Sequence, residues 1–286
     1  MRIPHNSLLM KPHMGKIHPF TGIQKAINLF SWNRGLCIPV FINIMCTKIS
    51  SMQISLFNAR ERGHTQVGWL DSWHSFSFGS FYNSRLTGFG KLRVLNDDKV
   101  APGAGFGLHP HENMEIVSIP LQGALAHRDS TGRSGVIKEG DVQLMSAGTG
   151  ISHSEMNAST REPVKFLQIW VFPEKMNIEP RYDQRRFLEE ERMEKLQTVV
   201  DPAGKEGLKI NQQAWFHLYK TNRDAELDYS LRNAGNGLFL FVIEGGVQID
   251  GIRAGERDAL GIQQFESLSA EVEKGSELLL IEIPLQ

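Results

Sequence analysis

Four side chains in this 286-residue chain have the types and the spacing to hold a metal ion. His109 and His111 flank Pro110 in "HPHENMEIVS", and in a β-strand residues i and i+2 project to the same face. Some forty residues downstream, "GTGISHSEMN" repeats the spacing with His153 and Glu155 about Ser154. Two strands could thus each aim a pair into one cavity. Three neutral imidazoles and a carboxylate suit Fe(II), Mn(II), Ni(II), Co(II), Cu(II) or Zn(II), whereas Ca and Mg prefer oxygen donors throughout. Such a set leaves open positions on a six-coordinate ion, where a substrate oxygen and O2, or a water, can meet. Glu155 would bring the charge of the site to about +1 and could also act as a base. Residue types alone leave a second account open, in which the histidines are surface groups or a hydrogen-bonded pair.

The remaining histidines of the body, His64, His74, His127 and His217, are expected to serve packing or hydrogen bonding. His127 and Asp129 in "AHRDSTG" read as turn chemistry, with the aspartate capping a turn beside a glycine.

What must position these groups is a β scaffold. From residue 95 onward the text consists of short apolar runs such as "MEIVSIPLQG", "VKFLQIWVF" and "SELLLIEIPL", bounded by Gly, Asp and Asn. Runs of this length, rich in β-branched and aromatic residues, predict many strands in a sandwich or barrel, so the class is mostly β. One segment departs from the rhythm: "DQRRFLEEERMEKLQ", 183–197, is charged and free of Gly and Pro, and reads as a short helix or charged connector between two halves. A faint repeat between 121–148 and 243–262 supports two copies of one β unit. The second copy holds no histidine.

Net charge is −1, and no basic run occurs in the body, which argues against a nucleic-acid partner. Charge is uneven, however. Residues 1–51 carry six Lys or Arg and no acid, and they contain both cysteines, Cys37 and Cys46. Their longest apolar run is too short to span a bilayer. Either the leader is a targeting peptide or, as we favour, translation begins at Met52 and the leader is upstream sequence outside the fold. The cysteine-free body has no disulfide, zinc thiolate or cysteine nucleophile, and fits a cytoplasmic location.

Several separated motifs match a known pattern. "GAGFGLHPHENME" (103–115) fits the first cupin motif, with Gly123 one place beyond the usual spacing, and "GDVQLMSAGTGISHSEMN" (140–157) fits the second. "RGHTQVGWLDSWHSFSFG" (62–79), "HRDSTG" and "LQIWVFPEK" complete the likeness. The body from about 52 resembles the pirin family, and within it the bacterial pirin-like quercetin 2,3-dioxygenases. The resemblance implies a bicupin of two β-barrel domains, 52–180 with metal and 181–286 without metal ligands. It implies the ligands His109, His111, His153 and Glu155, usually on iron. It places Glu115 as a non-ligand, expected to brace the site through a hydrogen bond. Phe106 is a candidate wall of an apolar substrate pocket. Glu112 departs from the relatives, which often carry Arg there. The implied activity is oxygenolytic ring opening of a flavonol such as quercetin with release of carbon monoxide, Glu155 accepting the proton of the 3-hydroxyl. The alternative it also covers is a metal-binding regulatory or redox-sensing protein with a protein partner and no enzyme activity.

Overall fold

The computed structural model describes residues 52–286; the basic leader, with its two cysteines and the question of a start at Met52, lies outside the described residues. Short apolar runs separated by turn residues give strands almost throughout. The first half contains β1 (Gln53–Phe57), β2 (Gly63–Val67), β3 (Leu70–His74), β4 (Leu92–Val100), β5 (Gly105–His111), β6 (Glu115–Gln122), β7 (Ala124–Asp129), β8 (Ser134–Lys138), β9 (Asp141–Ser146), β10 (Ile151–Asn157) and β11 (Val164–Val171). Next come β12 (Arg181–Arg186), β13 (Gln197–Asp201), β14 (Leu208–Lys209), β15 (Trp215–Lys220), β16 (Ala225–Ser230) and β17 (Asn236–Glu244). The chain ends with β18 (Gly246–Ile249), β19 (Ile252–Gly255), β20 (Ala259–Gln263), β21 (Ser267–Val272) and β22 (Glu277–Pro284).

These strands form two similar halves. One pairs a seven-stranded sheet, β12-β9-β6-β11-β4-β3-β2, with a four-stranded sheet, β5-β10-β7-β8; the other pairs β1-β20-β17-β22-β15-β13-β14 with β16-β21-β18-β19. The fold is the mostly β bicupin expected from the motifs. Strand parity distributes the side chains. Leu279, Ile281 and Ile283 of β22 join Phe239 and Phe241 of β17 and Leu167 and Ile169 of β11 in a core shared by the two large sheets. Their neighbours Leu278 and Leu280 face the other way, with Leu227, Val247 and Ala270, and fill the interior of the second barrel. Stacking two apolar sheet faces in this way buries both and supplies the main hydrophobic driving force.

Two strands cross the division expected at 180/181. β1 pairs with β20 of the second half, and β12 pairs with β9 of the first. β12 also corrects the helical reading of 183–197. Residues 181–186 are an edge strand, Glu189–Glu191 form a single 3-10 turn, and no α-helix occurs among the described residues. Good helix formers have been overridden by pairing along the full length of β9, and the charged side chains suit an unpaired edge because they discourage further strand addition. No helix of the described residues is long and apolar enough to cross a membrane.

Candidate metal centre

β10 is the middle strand of the site. On one side it pairs with β5, setting His153 opposite His109 and Ile151 opposite His111; on the other it pairs with β7, setting Glu155 opposite His127 and His153 opposite Asp129. The ring centroids of His109, His111 and His153 lie 4.5–4.9 Å from one another. Their ligand nitrogens form one group within 4.8 Å, and His127, His153 and Glu155 form a second, overlapping group. Two local features make this possible. Between His153 and Glu155 the β5 partner advances from His109 to Phe106, an extra residue that lets Phe106 and His109 both turn inward despite odd spacing. At Gly105 a Cβ would run into the Glu155 carbonyl and Met156, so glycine lets the two strands approach.

Hydrogen bonds settle which nitrogens face the centre. His109 Nδ1 lies 2.7 Å from the Gly107 carbonyl, so it carries the proton and leaves Nε2 free as a donor to a cation. His153 Nδ1 contacts His127 Nδ1 at 3.4 Å, while His153 Nε2 is buried with no partner in the protein. A buried unpartnered imidazole nitrogen among two further imidazoles and near a carboxylate fits a borderline transition-metal ion. Electrostatics agree. Burial, reinforced by His109, lowers the His111 pKa to about 4, and burial with the neighbouring histidines lowers that of His153 to about 2, so both rings are neutral and able to donate to a cation. Burial raises the Glu155 pKa to about 7, although Ser118 and Gln168 donate to its carboxylate at 3.3 and 2.6 Å. A cation beside it would reverse that shift.

The structure thus groups His109, His111 and His153, sets Glu155 with His153 and His127 in an overlapping group, and places His109 and Glu155 at one cavity. Glu115 is different. It accepts from Ser146 Oγ at 2.8 Å and from the Asn211 backbone at 3.1 Å, and makes no contact with the site histidines. The reason is parity: Ser118 of β6 faces Glu155, so Glu115, an odd number of residues away, faces the opposite side of the sheet. His127 also differs from the turn role expected of it. Asp129 does cap the turn, accepting from Thr131 and Arg133, but its second oxygen holds His127 Nε2 at 3.2 Å. His127 is buried behind His153 and stacked on Tyr182 of β12. Its i, i+2 relation to Asp129 was the available signal, the same spacing as the two ligand pairs.

A cavity of about 360 Å³ opens beside His109 and Glu155. Its apolar walls include Leu70, Phe78, Trp170 and the expected Phe106, while Ser72, His74, Asn96 and Asp98 supply polar groups from the facing sheet. A somewhat larger cleft between the two halves is lined by five cations and five carboxylates and contains no candidate metal group. The second barrel has no equivalent site. Its strands corresponding to β5 and β10 in sheet order are β16 and β21, whose inward residues Leu227, Tyr229, Leu268 and Ala270 belong to an apolar core. His217 there is fully buried and bonded to Thr198 and Tyr229.

Comparison with known proteins agrees with this division. The Pirin family model matches residues 56–171, and the model for the quercetinase C-terminal cupin domain matches 198–283. Quercetin 2,3-dioxygenase of Escherichia coli K12 is 40% identical over 232 residues, covering 81% of this chain and 99% of the relative. A putative quercetin 2,3-dioxygenase of Pseudomonas aeruginosa is 37% identical over 77% of this chain and 95% of its own length. Among solved structures, the bacterial pirin YhhW of Escherichia coli in complex with nickel(II) is 39% identical, with a TM-score of 0.77 over 82% of this chain and 100% of that one. Two matched barrels, one carrying a cluster of metal-ligating side chains, and near-complete coverage of a relative at 40% identity place this chain in the pirin family of cupin proteins.

Proposed function

We propose that the protein is a metal-dependent dioxygenase that opens the heterocyclic ring of a flavonol such as quercetin. The observation that carries this reading is that His109 and Glu155 line a cavity with aromatic walls, each belonging to one of two metal-ligating groups that overlap at His153. The relatives' names point the same way. His109, His111 and His153 would hold the ion through nitrogen, with Glu155 as the fourth donor. Fe(II) is our first choice, and Ni, Mn, Co, Cu or Zn suit the same donors. A bound redox-competent ion supplies a common meeting point for the flavonol oxygen and O2.

The protein's own part is binding and proton handling. Leu70, Phe78, Phe106 and Trp170 would sandwich a planar ring system and exclude water. Glu155 would take the proton of the 3-hydroxyl, with Ser118 and Gln168 holding the orientation of its carboxylate. O2 then adds across C2 and C4, and C3 departs with its oxygen as carbon monoxide. In this proposal the protein acts in the cytoplasm on a small aromatic and O2, without nucleic acid or membrane.

Oxygen uptake and carbon monoxide release with quercetin test the reading. Metal-loaded protein should show both, and His109→Ala, stripped of metal, neither. Loaded protein that shows neither would leave the metal-binding regulatory alternative standing in its place.

A further inference from the structure

The wall of the cavity opposite the histidines belongs to β3 and β4, and it carries a group that ring opening does not use. Asp98 of β4 is 3% exposed, and its one side-chain hydrogen bond comes from Ser72 Oγ. No lysine or arginine lines the cavity to neutralise it. Burying a carboxylate against Leu70 and Phe78 with a single partner is costly, so its environment calls for a hydrogen-bond donor from a ligand. Two residues earlier on the same strand face, Asn96 Oδ1 is engaged by His74 Nδ1 at 2.9 Å, and His74 Nε2 is engaged by Thr65 Oγ1 at 2.9 Å. This chain fixes the amide so that its NH2 remains available. A carboxylate acceptor and an amide donor therefore stand side by side on the wall facing His109 and Glu155.

We infer that Asp98 and Asn96 form a specificity-determining pair that receives a second hydroxyl, or an adjacent pair of hydroxyls, on the bound aromatic, at a position remote from the oxygen held at the histidines. The inference rests on the flavonol reading and refines it to neutral, polyhydroxylated planar aromatics. A phenol donates to Asp98 and accepts from Asn96, satisfying both. An ammonium group would leave the Asn96 amide unmatched, and a carboxylate would be repelled by Asp98. Burial also raises the Asp98 pKa to about 7, so the side chain is the ionised acceptor near pH 8, where the titration is run.

The test is anaerobic equilibrium titration of the metal-loaded full chain with quercetin and with 3-hydroxyflavone, which keeps the chelating oxygens and lacks every other hydroxyl. Wild-type protein should prefer quercetin by about tenfold or more, in line with one charge-assisted hydrogen bond. Asp98→Ala should reduce that preference to about threefold or less while leaving affinity for 3-hydroxyflavone unchanged. Asp98→Asn, which preserves volume, covers the case in which the alanine variant does not fold, and metal content and melting temperature establish that each variant is intact. A merely structural Asp98 would alter stability and weaken both ligands together. Preference retained in the variants, or equal wild-type affinity for the two ligands, overturns the pair while leaving the flavonol reading in place. Wild-type protein that binds neither ligand overturns both.

Discussion

His127 Nδ1 stands 3.4 Å from His153 Nδ1, and Asp129 Oδ2 holds the opposite nitrogen of His127 at 3.2 Å. With His153 Nε2 free to face a cation, the proton on its Nδ1 must point to His127, whose own proton then points to Asp129. The carboxylate thus orients one ring, and that ring orients the next. Such outer hydrogen bonds typically contribute about 10- to 100-fold in metal affinity. His127→Ala should lose affinity in that range, with His127→Gln restoring part of it. Competition against a chelating indicator measures both, and an alanine variant within about threefold of wild type would remove His127 from the site.

Legibility in the sequence followed the range of the interaction. The convergence of the two i, i+2 pairs could be read because a strand's period is local, and Phe106 does line the cavity. His127 could not be assigned in this way, because its partner is fixed by the register of β7 on β10, which no short window contains. The same holds for β12: the composition of 183–197 favours a helix, and only the long-range ladder to β9 makes it a strand. Glu115 is expected from the resemblance to brace the site, and its hydrogen bonds go to Ser146 and Asn211 instead. The face it takes follows from parity along β6, counted from Ser118, and the turn at Asn113, with a positive φ of 49°, separates it from the strand of His111.

Metal uptake should depend on pH through Glu155. Its carboxyl holds a proton up to about pH 7 in the metal-free protein, whereas His111 and His153 are already neutral well below that. A cation must therefore displace the Glu155 proton at pH 6 and need not at pH 8. Affinity should rise toward pH 7, and Glu155→Gln should bind more weakly and lose one proton from the slope of log affinity against pH. Calorimetry in buffers of different ionisation enthalpy counts the protons. An unchanged proton count in the variant would assign the slope elsewhere.

The metal-free protein should lose stability in mild acid. Five histidines, His74, His111, His127, His153 and His217, have pKa values lowered chiefly by burial. Three carboxylates, Asp98, Glu115 and Glu155, have values raised by burial. Below about pH 6.5 the unfolded chain protonates His111, His153 and His217 and the folded chain resists, so stability falls as pH falls toward their folded values. Above about pH 4.5 the unfolded chain ionises Asp98 and Glu155 while the folded chain resists up to about pH 7, which opposes the first effect. His111 and His217 at about 4 and His153 at about 2 outnumber Asp98 and Glu155 at about 7 by one, so unfolding near pH 5.5 takes up about one proton, and stability should drop by on the order of 1 kcal/mol per pH unit there. Urea midpoints in the presence of a chelator at pH 7.5 and 5.5 measure it, and a higher midpoint at the lower pH would reverse the sign.

Glu282 should matter to the fold and not to the metal. It lies fully buried on β22, where its carboxylate accepts from Tyr229 Oη at 2.7 Å, from the backbone of Arg232 at 2.8 Å and Asn233 at 2.9 Å, and from Asn236 Nδ2 at 2.9 Å. Four donors satisfy one carboxylate. Glu282→Ala leaves those donors buried without their acceptor, a loss of about 3–5 kcal/mol. Glu282→Gln, which keeps one acceptor oxygen, should lose less. Both variants should retain one metal ion per chain at wild-type affinity, because the second barrel's interior is closed by Leu227, Leu268 and Leu280 and takes no part in the centre. Metal analysis beside denaturant titration separates the two effects, and a variant that stays folded yet loses its metal would show that the second barrel supports the first one's site.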